Sequence, residues 1–228
     1  MREILRITKT KGTGLDIGSG TGHHVKALNM KGIETIGMDV SPAAIKKAKE
    51  NYPDLEFVQG DASEQTEPVD GTFNLITCLY FTIYYMKNKN QFLKNCFRWL
   101  DPGGHLALHL VNREKFDPIL PVADPLYMVS PQKYAQNRIT HSLVKFKDFQ
   151  YKSDFKMNSE KNMAIFTEKM TDDATGNVRQ NEHIMYMPPQ KKILSLAKQA
   201  GFKLIGHIDM VSCAYEYQYI YILQKPQR

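Results

Sequence analysis

Cysteine is scarce in this sequence, and the cysteines present lack the spacing of a metal or redox motif. Only Cys78, Cys96 and Cys213 occur among 228 residues. An odd number without a C-x-x-C pair argues against disulfides and structural zinc, and indicates a reducing compartment, the cytoplasm. No apolar run is long enough to cross a bilayer, and the N-terminus has no signal-peptide core, so we expect no membrane association.

Acidic residues are outnumbered by basic ones, which gives the chain a formal net charge of +6. Such an excess would suit a polyanionic partner. The lysines between Lys133 and Lys169 are, however, interleaved with acids such as Asp148, Asp154 and Glu168. This mixture indicates a solvated surface rather than a nucleic-acid interface, so we expect no nucleic-acid partner.

Glycine recurs at every second position in one stretch. An apolar run ends at Asp16 and is followed by Gly18, Gly20 and Gly22. This pattern predicts a strand, a tight loop and the start of a helix, with backbone that a ligand can approach closely. Two histidines follow Gly22 where a P-loop has Lys-Ser/Thr, and the spacing is not the G-x-G-x-x-G of a dinucleotide site.

Strand and helix patterns alternate through the rest of the chain. We predict strands at 34–39, 55–59, 73–78, 105–110, 202–210 and 215–223, and helices over 21–31, from Pro42 with Ser41 as its N-cap, across Phe92–Leu100 and before Gly201. Residues 101–104 should break the helix before strand five. Four prolines, Pro118, Pro121, Pro125 and Pro131, predict irregular chain before a small antiparallel sheet over 143–187.

This order predicts an α/β fold with a seven-stranded, mostly parallel sheet and helices on both faces. We expect a single domain over 1–228, with 111–187 inserted after strand five. Asp16, Asp39, Asp61 and the stretch 78–81 all lie at the carboxyl ends of predicted strands. Because parallel strands bind ligands beyond their carboxyl ends, these polar landmarks predict one binding site.

The glycine stretch resembles the (D/E)-x-G-x-G-x-G motif of class I S-adenosylmethionine (AdoMet) methyltransferases. The resemblance covers 12–110 and 189–225, and it implies a Rossmann-like fold with AdoMet as cofactor. In that pattern Asp16 lies near the methionine ammonium, Asp39 accepts the ribose hydroxyls and Asp61 takes the adenine amino group. The other implied cofactor residues are Gly18, Ser19, Gly20, Val40 or Met38, Ala62, Cys78 and Leu79.

Two absences narrow the implied substrate. The stretch after strand four lacks the (D/N/S)-P-P-(Y/F) motif of nucleobase methyltransferases. The acids with which catechol-type enzymes hold Mg²⁺ are also missing, so we expect no metal. The run Thr77–Tyr85 looks similar to small-molecule N-methyltransferases acting on amino sugars, glycine or other small amines.

Several residues near this edge are candidates for catalysis and substrate binding. His109 ends strand five and is the candidate general base, because the pKa of histidine lies near neutrality. Tyr80 and Tyr84 are further catalytic candidates, although packing of the following helix explains them equally well. The candidate substrate-binding residues are Phe81, Tyr85, Asn112 and Arg113. We expect His23 and His24 to cap their helix or face solvent.

Three alternatives stay open at this point. The chain could methylate RNA or protein through its basic surface, serve as a non-catalytic partner subunit, or bind a dinucleotide. Residues 143–187 could form a lid, a homodimer interface or both.

Overall fold

The computed structural model describes residues 1–64, 71–118, 135–213 and 215–227. Two compact units emerge. The first unit contains Met1–Leu110, Lys191–Ile208 and Tyr219–Arg228, and the second contains Val111–Gln190 and Asp209–Gln218. Pro121, Pro125 and Pro131, part of the predicted irregular segment, lie outside the described residues. In the part of the chain that is described, no helix is both long and apolar enough to cross a membrane.

The elements follow the predicted alternation of strands and helices. The helices are α1 (Arg2–Thr8), α2 (His23–Asn29), α3 (Pro42–Asn51), α4 (Thr82–Tyr85), α5 (Lys89–Trp99) and α6 (Gln190–Gln199). The strands are β1 (Gly12–Ile17), β2 (Ile33–Asp39), β3 (Phe57–Gln59), β4 (Phe73–Cys78), β5 (Leu100–Val111), β6 (His141–Lys145), β7 (Phe149–Asn158), β8 (Met163–Asp172), β9 (Val178–Tyr186), β10 (Lys203–Asp209) and β11 (Gln218–Gln224).

The large sheet has seven strands in the order β10-β11-β5-β4-β1-β2-β3. The pairs β1–β2, β1–β4, β2–β3 and β4–β5 are parallel. The predicted seven-stranded, mostly parallel sheet is therefore confirmed. Because β4, β1, β2 and β3 are consecutive neighbours, their carboxyl ends lie side by side at one edge.

Local sequence signals account for the helix that follows β2. The Ser41 hydroxyl accepts a hydrogen bond from the Ala44 N–H at 3.2 Å, and Pro42 occupies the first helical position. Both features satisfy or remove donors that a helix N-terminus leaves unpaired. The predicted cap is thus confirmed, and Ile45 and Ala48 are buried as expected.

Several boundaries differ from the predictions by a few residues, and that of β5 differs most. β5 begins at Leu100, not at His105, because Gly103 already pairs with the end of the chain. The Gly103 N–H donates to the Lys225 carbonyl at 2.8 Å, and the Lys225 N–H donates to the Gly104 carbonyl at 2.9 Å. Residues 101–104 end the helix, as predicted, but belong to the strand.

The structure also contains α1, a helix that was not among the predicted elements. Its Ile4 is almost fully buried and packs in a cluster with Leu28, Ile33, Leu75 and other core side chains. Ile4 is the most deeply buried contact of this helix, and the partly buried Met1, Leu5 and Ile7 pack against the same cluster.

The second unit contains the predicted antiparallel sheet, with the strand order β6-β7-β8-β9. On β7, Tyr151, Ser153 and Phe155 are buried, whereas the intervening Lys152 is exposed. The Phe116 ring packs edge-on against Phe155 at 5.3 Å. The predicted period-two pattern therefore separates a covered face from an open face.

Candidate active site

The glycine loop after β1 leaves backbone open to a ligand. Gly18 and Gly20 have φ angles of 72° and 53°, a region in which side chains are strained. A side chain at Gly18 would collide with Thr82, whereas a Cβ at Gly20 would meet no atom within 4 Å. The N–H groups of Gly18 and Ser19 donate to the Met38 carbonyl at 2.8 and 3.0 Å. The loop is thereby fixed to β2 with open space beside Gly20.

Asp16, at the end of β1, is buried with half of its carboxylate unpartnered. Only 1% of the residue is exposed. The Thr77 hydroxyl donates to Oδ1 at 2.5 Å, but Oδ2 has no hydrogen-bond partner. Burial raises the pKa of Asp16 to about 7, with a smaller contribution from Asp39 and an opposing one from the Thr77 bond. A cation placed at Oδ2 would relieve this unfavourable burial.

Asp39, at the end of β2, connects the glycine loop to the next helix. Its Oδ2 accepts from the Gly20 N–H and its Oδ1 from the Ser41 N–H, both at 2.9 Å. A carboxylate oxygen has two acceptor sites, so each oxygen can accept one further bond. Beside Asp39, Val40 is 61% exposed, whereas Met38 is buried. Of the two residues predicted to contact adenine, Val40 therefore presents the available apolar surface.

Asp61 and Ala62 follow β3 at the same edge. Asp61 Oδ1 accepts from the Ser63 N–H at 2.8 Å and from the Ser63 hydroxyl at 2.7 Å. The Ala62 carbonyl accepts a bond from the buried Asn95 amide at 3.0 Å. The Gly60 N–H donates to the Asp39 carbonyl at 3.1 Å, which joins the ends of β2 and β3.

Cys78 and Leu79 close this edge at the end of β4. Both side chains are buried, and burial raises the pKa of the Cys78 thiol well above its ordinary value. The thiol is therefore held neutral, and only the backbone of this pair is suited to border a ligand.

Aromatic rings cluster next to Cys78 and Leu79. Tyr80 has a left-handed backbone with φ 53° and is 51% exposed. Its ring stacks on His24 (centroids 5.5 Å apart, planes at 15°) and meets the buried His109 edge-on at 6.2 Å. Phe81 lies 6.1 Å from His109. The structure thus brings the predicted base together with two predicted aromatic residues.

Tyr84 and Tyr85 differ in their surroundings. Tyr84 is fully buried, 6.2 Å from Phe81 and below the Lys89 ammonium, whereas Tyr85 is 48% exposed. Burial lowers the pKa of Lys89 to about 8. This environment favours a packing role for Tyr84, and its predicted catalytic role stays a prediction.

Asn112 and Arg113 lie in the second unit. Arg113 donates from Nη1 to the Asn162 side chain and the Met187 carbonyl at 2.6 and 2.7 Å, and from Nε to Glu114 at 3.0 Å. The Asn112 side chain accepts from the Glu114 N–H at 3.2 Å. These contacts support structural roles, and the predicted substrate contacts of both residues stay predictions.

His24 was not among the predicted site residues. It makes no capping hydrogen bond, and its side chain is 30% exposed, so it faces solvent only in part. Its Nδ1 lies 3.9 Å from Asp16 Oδ2, and burial lowers its pKa. The neighbouring His23 instead contacts the Tyr52 hydroxyl at 2.7 Å through Nδ1. A four-residue spacing to the buried Leu28 is the sequence signal that places His24 on the inner face of α2.

Within the described ranges, no group of three or more His, Cys, Asp or Glu side chains is arranged to hold a metal ion. The groups that this edge offers to a ligand are carboxylates, backbone amides and aromatic rings.

Comparison with known protein families gives one domain match. Residues 15–104 match the family described as "Methyltransferase domain". Among curated relatives, the ubiquinone biosynthesis O-methyltransferase of Aliivibrio fischeri (strain ATCC 700601 / ES114) is 26% identical over 103 residues, which is 43% of this chain and 44% of that protein. That of Pseudomonas entomophila (strain L48) is 26% identical over 136 residues, 58% of this chain and 56% of that protein. The chain thus spans about half the length of these relatives.

Solved structures match over nearly the whole chain. An S-adenosylmethionine-dependent methyltransferase from Clostridium acetobutylicum ATCC 824 has a TM-score of 0.77 at 14% identity, covering 99% of this chain and 89% of that one. The sugar N-methyltransferase KedS8 from Streptoalloteichus has a TM-score of 0.72 at 18% identity, covering 99% of this chain and 85% of that one. SAM-bound CalS10, an amino pentose methyltransferase from Micromonospora echinaspora, has a TM-score of 0.70 at 16% identity, covering 98% of this chain and 87% of that one. At these identities the likeness establishes a shared fold.

Proposed function

We propose that this chain, which carries a class I methyltransferase domain, uses AdoMet to methylate a small molecule, at an amine nitrogen. The observation that carries the proposal is the buried Asp16 carboxylate with its unpartnered Oδ2, beside the open backbone at Gly20. A ligand that carries a cation next to a carboxylate fits this pair of features. The methionine end of AdoMet has these two groups, an ammonium and a carboxylate.

The neighbouring strand ends fit the rest of the cofactor. Asp39 keeps acceptor capacity for two ribose hydroxyls, since each of its oxygens uses one acceptor site within the protein. The exposed Val40 offers an apolar surface to adenine, while the Asp61 carboxylate and the Ala62 N–H match its polar edge. When bound, AdoMet supplies a methyl group activated by its sulfonium.

On the acceptor side, the protein has to position the nucleophile and exclude water. Tyr80, Phe81 and Tyr85 supply ring surfaces, and His109 lies against the first two. As a general base, His109 takes a proton from the acceptor ammonium, and the neutral amine that remains attacks the methyl group to give a cationic product.

Oxygen is the second candidate acceptor. The curated relatives at 26% identity are described as O-methyltransferases of ubiquinone biosynthesis, whereas two structural neighbours are described as a sugar N-methyltransferase and an amino pentose methyltransferase. The aromatic cluster would also stack on a phenolic ring. We favour nitrogen because the exposed rings of Tyr80 and Tyr85 can stabilise a cationic product, which amine methylation gives and hydroxyl methylation does not.

The proposal also covers the substrate contacts, the role of the second unit and the class of substrate. Asn112 and Arg113 would contact the substrate only if part of their present bonding were released. The second unit would act as a lid, as a homodimer interface or as both. A small-molecule substrate is preferred to RNA or protein.

Calorimetric titration with AdoMet tests the cofactor site directly. We expect saturable binding by the wild type and a loss of roughly tenfold or more in Asp39→Asn, because a charge-assisted bond contributes about 1.5–3 kcal/mol. Asp54→Asn, in an exposed turn at the far end of β3, is the matched control and should bind normally. A folded wild-type protein that does not bind AdoMet would contradict the proposal.

Paired acceptors then test the target atom. Amino and hydroxy forms of one scaffold are offered with AdoMet, and the methylated position is read by fragmentation mass spectrometry. Methylation of the amine but not of the matched alcohol or phenol supports nitrogen. The opposite preference would assign the chain to O-methylation.

A further inference from the structure

His24 lies between the two halves of the candidate site. On one side its Nδ1 is 3.9 Å from Asp16 Oδ2, the unpartnered oxygen assigned above to the cofactor ammonium. On the other side its ring stacks nearly parallel on Tyr80. One imidazole therefore contacts both the cofactor half and the acceptor half of the site.

The contact with Asp16 is sensitive to charge. At 3.9 Å, His24 Nδ1 and Asp16 Oδ2 are beyond hydrogen-bond distance, but a charge placed on either group lies close enough to act on the other. The Asp16 carboxylate is also influenced by the Thr77 hydroxyl from β4 and by Asp39 from β2, and Asp16 in turn raises the pKa of the nearby Cys78 thiol. His23 and the chain's N-terminal amine act on His24. A cation arriving at Oδ2 would therefore alter the position that the imidazole prefers.

The contact with Tyr80 links the position of the His24 imidazole to that of the Tyr80 ring. Tyr80 has a left-handed backbone, a strained state that persists when its surroundings hold it and that is frequent at functional sites. His24 covers one face of the ring, and His109 meets its edge. A shift of the imidazole would thus move or release the ring that faces the acceptor.

We propose that His24 is a positioning residue that couples cofactor binding at Asp16 to the orientation of Tyr80 on the acceptor side. The proposal rests on the cofactor site proposed above. Coupling of this kind is reciprocal, so an ordered Tyr80 would in turn favour the cofactor-bound state. The consequence is that bound AdoMet favours the Tyr80 orientation that suits the acceptor.

Fluorine NMR of protein labelled with 3-fluorotyrosine tests the coupling with AdoMet as the only ligand. The Tyr80 resonance is assigned by its loss in Tyr80→Phe. In the wild type we expect AdoMet to shift this resonance. In His24→Asn, which removes the stacked ring, the AdoMet-induced shift should disappear. His23→Asn, one residue away with its ring on Tyr52, is the matched control and should keep the shift.

A second variant separates the two contacts. His24→Phe keeps a ring on Tyr80 but removes the nitrogen that faces Asp16. We expect AdoMet binding to persist. The midpoint of its pH profile should move upward by about half a pH unit or more, because the Asp16 carboxylate loses a polar neighbour. A variant with a purely structural defect would lose stability without moving this profile.

The outcomes distinguish the two proposals. If the folded wild type does not bind AdoMet, the proposed cofactor site fails. If it binds AdoMet but the Tyr80 resonance does not respond, or responds equally in His24→Asn, the coupling is refuted and the cofactor site stands. Unchanged pH dependence in His24→Phe would remove the Asp16 half of the argument.

Discussion

At the scale of single residues, burial of the Asp16 carboxyl group lowers the stability of the folded protein but provides a binding site for the cofactor ammonium. Its pKa in the folded protein is about 7, against an ordinary value of 3.8, chiefly because of burial. Between these two values the folded protein retains a proton that the unfolded chain releases. The stability contribution of Asp16 therefore falls as pH rises from about 4 to 7. Only the ionised form matches an ammonium, so AdoMet affinity should rise over the upper part of that range.

Asp16→Asn is expected to change stability and affinity in opposite directions. An amide keeps an acceptor for Thr77 and removes the buried charge, so the free energy of unfolding at pH 8 should increase by roughly 1–4 kcal/mol. The gain should be smaller at pH 5, where the wild-type carboxyl is already protonated. AdoMet binding should weaken at both values. Urea denaturation and calorimetry at the two pH values measure this, and a variant destabilised at pH 8 would contradict it.

Gly20→Ala is expected to separate folding from binding. The new Cβ meets no atom of the protein within 4 Å, so the cost to folding should be limited to the left-handed backbone, about 1–2 kcal/mol. The same Cβ would occupy the space proposed for the cofactor and should weaken AdoMet binding at least tenfold, which calorimetric titration measures.

Gly176→Ala provides the control for Gly20→Ala. Gly176 has a φ of 69°, also has no atom within 4 Å, and lies in the β8–β9 turn of the second unit. It should lose similar stability and bind AdoMet normally. If both variants bind equally well, the open space at Gly20 is not part of the cofactor site.

At the scale of elements, α1 packs on the first unit chiefly through Ile4, its most deeply buried apolar side chain. Ile4 is 1% exposed and joins the cluster formed with Leu28, Ile33 and Leu75, whereas Ile7 is only partly buried. Ile4→Ala should lower the free energy of unfolding by about 2–4 kcal/mol, more than Ile7→Ala. Chemical denaturation measures both, and equal losses would mean that α1 is not fixed through Ile4.

The predictability of these elements follows from how local their signals are. Ser41-Pro42 and the acids after β1, β2 and β3 could be read from the sequence, because caps and strand ends depend on neighbours in the chain. The burial of α1 and the early start of β5 could not, since they depend on Leu75 and on Lys225, far away in sequence.

The candidate site divides in the same way. Asp16 and Asp39 lie at the ends of β1 and β2, and Asp61 follows β3. The alternation of strands and helices is therefore enough to predict that they share one edge of a parallel sheet. Their bonding could not be predicted: Asp39 holds the loop at Gly20, and Asp16 keeps one oxygen without a partner. The spacing of His24 to Leu28 indicates which face of α2 it occupies, but its contacts with Asp16 and Tyr80 could not be predicted.

At the scale of the whole molecule, the question is whether Arg113 stabilises the second unit or binds the substrate. Its guanidinium donates to Asn162, to the Ser159 carbonyl and to the Met187 carbonyl, so it joins the start of the second unit to the β7–β8 turn and to the end of β9. Its side chain is only 11% exposed. A lysine has one compact ammonium and cannot reproduce this fork.

Arg113→Lys should therefore loosen the second unit while the first unit and its AdoMet site stay unchanged. Hydrogen exchange should accelerate in peptides covering 158–162, and exchange over 33–51 should match the wild type. We expect a local loss of about 1–3 kcal/mol, the cost of leaving buried partners unsatisfied. Arg179→Lys, exposed on β9, is the control. If exchange at 158–162 is unchanged and only the KM of an identified acceptor rises, Arg113 binds substrate as the sequence suggested, and its contacts within the unit are secondary.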